Sequence, residues 1–244
     1  FFFFKQKTAY EISTRDWSSD VCSSDLPRVS RVCGAFILVL ASLTLVACGA
    51  PTKIYAKNSQ LGVFFTVPAH WHQIPEEDIR SYEVTGADTA AKSKADLVLW
   101  QEAYSESNKV TAKNILQLDA PDSLTAFARV RALTQEESDA MSYNGLRNLI
   151  LPVTDLISGQ SQIVKDFQLL DEKEVVLNKA RGLQTVFSFS PKDGNNETVH
   201  QTALLSEDRS SIYFFLVRCT TECFDQSQKQ VDEIVKSFTV KGSR

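Results

Sequence analysis

The sequence predicts an α/β (α+β) protein: a mostly antiparallel sheet with helices on both faces. Three observations lead there. The second half reads as a β-meander, with strands of β-branched and aromatic residues separated by short polar turns. One of those strands, Ile212-Tyr-Phe-Phe-Leu-Val217, is apolar on both alternating faces and needs cover on each side. The final segment, Glu222–Thr239, places Phe224, Val231, Ile234, Val235 and Phe238 along one helical stripe.

The elements follow in order. Lys53–Lys57 reads as an edge strand inside a short tether, residues 48–60. Leu61–Val67 is a strand stopped by Pro68, after which Pro68-Ala-His-Trp71 turns away and Glu76–Tyr82 forms a short helix. Asp96–Tyr104 and Ala126–Leu133 are strands, and Glu83–Lys94 and Glu106–Asp122 are long polar loops between elements. Thr134 and Glu137 have capping-box spacing, which predicts a helix from there to about Leu151, before Pro152. Val164–Leu177 holds one long strand or two. Lys179–Gly182 is a turn, Leu183–Ser190 a strand, Lys192–Asn196 a hairpin loop and Glu197–Ser206 its partner. Asp208–Ser210 turns into the strand Ser211–Cys219.

The N-terminal segments are excluded from this fold. The single methionine is Met141, and Phe1–Leu26 resembles a translated sequencing adapter. Lys5–Ile12 back-translates to AAG CAG AAG ACG GCA TAC GAG AT, and Asp16–Leu26 to a second constant block. This segment is expected to be non-native. Pro27–Ala47 then reads as an export signal. Arg28 and Arg31 form a positive region before the apolar stretch Gly34–Val46, whose helical length of roughly 20 Å falls short of the ~30 Å hydrocarbon core. It ends in Leu45-Val-Ala-Cys48, which resembles a bacterial lipobox. Cys48 is therefore the expected mature N-terminus and lipidation site, anchoring the chain to a membrane. The alternative is a plain secretory signal with a chance cysteine. The folded domain spans residues 61–244.

Five cysteines are present: Cys22 and Cys33 precede the mature chain, Cys48 is assigned to lipid, and Cys219 and Cys223 remain as an even pair in an oxidising setting. They flank a strand-to-helix turn, where Cα atoms four residues apart can fall in the ~4.4–6.8 Å window a disulfide needs; the alternative is two free thiols.

Function is less legible. A hydrophobic content of 43% and charged content of 23% describe an ordinary globular chain, and a net charge of −4 argues against a nucleic-acid partner, which calls for a basic face. His70 and His72 alternate around Trp71, but the third histidine, His200, is remote, so solvated loop histidines are the better reading. Asp171, Glu172 and Glu174, with Asp119 and Asp122, are too sparse for a calcium loop and read as solvated carboxylates. Asn196-Glu-Thr198 fits a glycosylation acceptor but sits where a turn wants asparagine. Arg129 and Arg131 alternate with apolar residues and share a strand face with Phe127. They are the candidate partner- or anion-binding residues, against the simpler reading of a salt-bridged sheet face. The chain has no HExxH, Gly-x-Ser-x-Gly, phosphate loop, dinucleotide fingerprint or zinc-type CxxC pair. No catalytic residue, metal or cofactor is expected.

Two stretches carry a resemblance. Gly62-Val-Phe-Phe-Thr-Val-Pro-Ala-His-Trp71 resembles the glycine, strand, proline, x, x, tryptophan opening of the PsbP/Mog1-like superfamily. Ile212-Tyr-Phe-Phe-Leu-Val217, Phe224 and Ile234-Val-Lys-Ser-Phe238 resemble its closing strand and helix. The resemblance spans Leu61 to Val240 and includes lipid-anchored bacterial members of the LpqN type. It implies an α/β/α sandwich and a scaffold or assembly role, usually without catalysis. The expectation is a lipid-anchored extracytoplasmic module docking an unidentified envelope protein, or alternatively a carrier with a small-ligand or lipid cavity between sheet and helix.

Overall fold

The structure is a computed structural model and describes residues 51–192 and 194–241. The expectations for Phe1–Leu26, Pro27–Ala47 and Cys48 lie outside those residues.

Strands β1 (Lys53–Asn58) and β2 (Val63–Pro68) form a hairpin. Asn58 Oδ1 accepts the N–H groups of Gln60 and Leu61, and Gly62 at φ +64° re-enters the sheet where a side chain would be strained. Val63, Phe65 and Val67 are buried, Pro68 ends the strand, and its carbonyl accepts the Trp71 N–H, turning that indole into the core. The glycine–proline–tryptophan opening is thus a packing device.

A strand absent from the expected order, β3 (His72–Ile74), pairs with β4 (Val98–Ser105). Three residues with a single buried side chain give no alternation to read. The stretch between them is helical: α1 (Glu76–Val84) and α2 (Thr89–Ala95), the second capped by Asp88, so Glu83–Lys94 is mostly helix. The segment 106–122 is also built in. It contains α3 (Ala112–Leu116) and buries Val110, Ala112, Ile115 and Ala120.

Strand β5 (Thr125–Ala132) follows. The capping box at Thr134 and Glu137 forms, but the expected helix to Leu151 breaks into α4 (Gln135–Ala140), α5 (Tyr143–Arg147) and α6 (Val153–Ile157). Met141 is extended at ψ 126°, and Ser142 starts α5 by accepting the Gly145 N–H, so a second cap wins over continuation.

Strands β6 (Lys165–Leu177), β7 (Ala180–Ser190), β8 (Glu197–Leu205) and β9 (Ser211–Thr220) make the meander. The turn after β6 is only Asn178-Lys179, with Asn178 at φ +54°. Gly182 lies inside β7, not in a turn: a Cβ there would stand 2.0 Å from the Ala203 carbonyl oxygen. Helices α7 (Thr221–Gln226) and α8 (Gln228–Ser237) replace the single expected helix, and β10 (Thr239–Val240) pairs with β2. Cys219 and Cys223 are disulfide-bonded, with Cα atoms 6.0 Å apart, and tie β9 to α7.

A seven-stranded antiparallel sheet, order β3-β4-β5-β9-β8-β7-β6, forms the middle layer, and a three-stranded sheet, β1-β2-β10, packs on it. Alternation along β9 divides the interior. Tyr213, Phe215, Val217 and Cys219 face the small sheet, α7 and α8, where Phe65 meets Phe215 at 4.9 Å and Phe215 stacks on Phe238 at 4.7 Å. Leu216 joins Phe127, Phe187 and Val199 on the other face, beneath α1, α3 and the 151–153 segment. No helix among the described residues is long and apolar enough to cross a membrane.

Candidate functional site

On that second face the cover is incomplete. Residues 115–118, from α3 and its exit, form one wall of a groove, and Leu149 and Ile150, between α5 and α6, form the other; its volume is about 320 Å³. The floor is β5 against β9. The register pairs Phe127 with Leu216, Arg129 with Phe214 and Arg131 with Ile212, so guanidinium groups and apolar side chains share one face, rung by rung. Arg129 and Arg131 thus lie where period-2 alternation puts them, beside Phe127.

Each arginine on the lining is matched by a carboxylate. Arg129 donates from Nε and Nη2 to Gln101 Oε1 and from Nη2 to Glu83 Oε1 at 2.6 Å, and its guanidinium lies 5.0 Å over the Phe127 ring. Arg131 Nη1 donates to both Glu137 oxygens, at 2.9 and 3.1 Å. Burial works against the Glu137 charge, but the Thr134 N–H and Arg131 prevail and hold its pKa below the usual range. Arg129 Nη1 and Arg131 Nε and Nη2 have no acceptor among the described residues.

The third arginine, Arg218, was not foreseen. It is 2% exposed, with Nη1 2.7 Å from the fully buried Glu197 carboxylate. Its Nη2 donates to the carbonyls of Asn114 and Gln117, while Glu197 accepts the Ala120 N–H at 3.1 Å. This pair clamps the 114–120 wall onto the sheet. Burial raises the Glu197 pKa, and Arg218 and Ala120 pull it back in part. An isolated arginine after an apolar strand and a glutamate opening another carry no signal of their pairing. With three arginines and three glutamates the site has no net formal charge. It offers apolar surface and spare N–H donors, not a cationic trap.

The other candidates do not converge on it. His70 and His72 are exposed, and His200 lies on β8, on the opposite sheet face. The His200 Nδ1 is buried without a partner, and burial followed by repulsion from Lys173 lowers its pKa to about 4. Among the described residues no three His, Cys, Asp or Glu side chains cluster as metal ligands. Glu172 is held by Arg147 in a two-point contact, and Glu174 accepts from Tyr143 Oη at 3.4 Å. Asp171 pairs with Val186 and points to the opposite face. Asn196, exposed in the hairpin loop, accepts the Ser190 hydroxyl.

Fold and site together define an α/β sandwich with a ligand-sized groove between its sheet and one helical layer. No protein-family model matches the chain, and no curated protein matches its sequence. Among solved structures it is similar to PsbP (CyanoP) from Synechocystis sp. PCC 6803, with 12% identity and TM-score 0.45, covering 80% of this chain and 95% of that one. It is similar to LpqN, involved in cell envelope biogenesis of Mycobacterium tuberculosis, with 15% identity and TM-score 0.43, covering 77% and 90%. It is also similar to the Ran-binding protein Mog1p of Saccharomyces cerevisiae, with 9% identity and TM-score 0.41, covering 78% and 96%. These likenesses concern the course of the chain and transfer no activity.

Proposed function

We propose that the chain is a non-catalytic extracytoplasmic binding module, anchored to a membrane through lipid on Cys48, that docks a partner protein in the groove. The groove carries the reading. A volume of about 320 Å³ accepts one or two large apolar side chains, each contributing about 1.5–3 kcal/mol on burial. The absence of net charge at the site disfavours a polyanion. The spare N–H donors of Arg129 and Arg131 suit a backbone carbonyl or single carboxylate beside those side chains. The polar groups on the lining are guanidinium and amide, which orient a ligand but neither attack nor take up a proton.

The groove's size also favours a second reading, since small-molecule sites begin near 300 Å³: a carrier for a small amphipathic ligand or lipid. Leu118→Trp fills the groove from its half-buried wall. It should leave the melting transition in place and reduce capture of a membrane partner at least about tenfold. A small molecule retained by the wild type and lost in Leu118→Trp would establish the carrier instead. Sustained turnover of a substrate would overturn both. The anchor is tested separately: Cys48→Ala should abolish fatty-acid labelling and signal processing.

A further inference from the structure

The outer face of the three-stranded sheet has a composition that folding does not require. Alternation along β1 turns Ala56 into the core and sends Lys53, Tyr55 and Lys57 outward. The register sets Lys57 opposite Phe64 and Tyr55 opposite Thr66. The residue after β10 adds Lys241, whose N–H bonds the Gly62 carbonyl and whose Nζ lies 5.8 Å over the Phe64 ring. Tyr55, Lys57, Phe64 and Lys241 line a shallow hollow of about 630 Å³ that carries no carboxylate among the described residues, and Lys53 lies on the same face beyond it. Tyr55 is 67% exposed. Two lysines around two aromatic rings, with Lys53 further along the same face, form a local exception on a chain of net charge −4.

Position gives the exception a meaning. Lys53 follows Cys48 by five residues, which reach at most about 18 Å when extended. A domain of this length is roughly 40 Å across. A lipid on Cys48 therefore keeps the start of β1 near the bilayer, and the far side of the domain cannot turn to it. Lysine stems and tyrosine rings suit the headgroup region, with charge outward and apolar body inward.

We propose that the Lys53, Tyr55, Lys57, Phe64 and Lys241 face is a docking surface for anionic lipid headgroups, which lays the anchored domain against the bilayer in one orientation. Each lysine near an anionic surface contributes on the order of 1 kcal/mol, so three favour this orientation by roughly 100-fold over a neutral face. The acidic remainder of the domain is repelled. The proposal rests on the anchoring of Cys48, and the test supplies that anchor chemically.

Mature chain beginning at Cys48, its one thiol outside the disulfide, is coupled to a maleimide lipid in vesicles of phosphatidylcholine alone or mixed with phosphatidylglycerol. Lysine reactivity toward a water-soluble acylating reagent is read by mass spectrometry. Lys53, Lys57 and Lys241 should react at least about tenfold more slowly on the anionic vesicles, and high salt should remove the difference. The exposed Lys109 and Lys229 should not change. Tyr55→Ala should weaken the protection, and Lys57→Glu with Lys241→Glu should abolish it at Lys53. Equal reactivity of Lys53, Lys57 and Lys241 on both vesicles, or equal protection of Lys109 and Lys229, overturns the proposal. If Cys48 is not labelled by fatty acid in cells, the anchoring falls instead, whatever the vesicles show.

Discussion

Replacing Arg218 by methionine tests the clamp behind the groove. The substitution keeps most of the stem but leaves the fully buried Glu197 with the Ala120 N–H as its only hydrogen-bond donor among the described residues. It also strips the Asn114 and Gln117 carbonyls of their donor. Breaking one side of a buried pair costs about 3–5 kcal/mol, a large share of the 5–15 kcal/mol that holds a typical domain. The cost should depend on pH, with a definite sign. Burial already raises Glu197, and removing Arg218 raises it further. A group raised in the folded state stabilises fully below its unfolded pKa, about 4.3, and loses that contribution as pH rises through the folded value. The deficit of Arg218→Met should therefore be small near about pH 4.5. It should grow by about 1.4 kcal/mol per pH unit between the Glu197 pKa of the wild type and that of the variant. Urea unfolding at about pH 4.5 and about pH 7.5 measures it. Adding Glu197→Gln should remove the pH dependence while keeping an acceptor for Ala120. Hydrogen exchange should speed up in residues 112–118 before it does in the sheet. A loss under about 1 kcal/mol at about pH 7.5, or one equal at both pH values, would refute the reasoning.

Three further outcomes are expected. Reducing the Cys219–Cys223 disulfide should cost about 2 kcal/mol, since so short a loop constrains the unfolded chain little; thiol titration of the unreduced, denatured protein should find neither sulfhydryl. Gly182→Ala drives a Cβ into the Ala203 carbonyl and should destabilise by about 3 kcal/mol in thermal unfolding, whereas substitution of the exposed Gly86 by asparagine should be nearly silent. His200 should titrate near pH 4 by NMR; because its folded pKa is lowered, its contribution is present above about pH 6.5 and lost as pH falls towards 4.

Local chemistry made much of this fold legible. The two-sided strand 212–217 is covered on both faces because neither set of alternating side chains can meet water, and the stripe from Phe224 to Phe238 packs as its period requires. Cap signals located helix starts well and helix lengths poorly: Thr134 begins a helix, but Ser142 begins another before the first can run on. Gly182 misled because glycine marks a turn and a close backbone approach with the same letter. The groove was half visible. Arg129 and Arg131 follow from strand period, but the walls come from residues 115–118 and 149–150, brought together only by tertiary packing. The Arg218–Glu197 clamp joins positions 21 apart on adjacent strands, and a single sequence carries no mark of that contact.

The most direct test of the binding-module account is site-specific photocrosslinking in native membranes, with a photoreactive residue replacing Leu116 in the groove wall and, as control, Lys229 on the exposed face of α8. The account predicts one discrete protein adduct from position 116, absent from position 229 and suppressed by Leu118→Trp. Adducts of small-molecule or lipid mass alone from position 116, or protein adducts indifferent to Leu118→Trp, would contradict it.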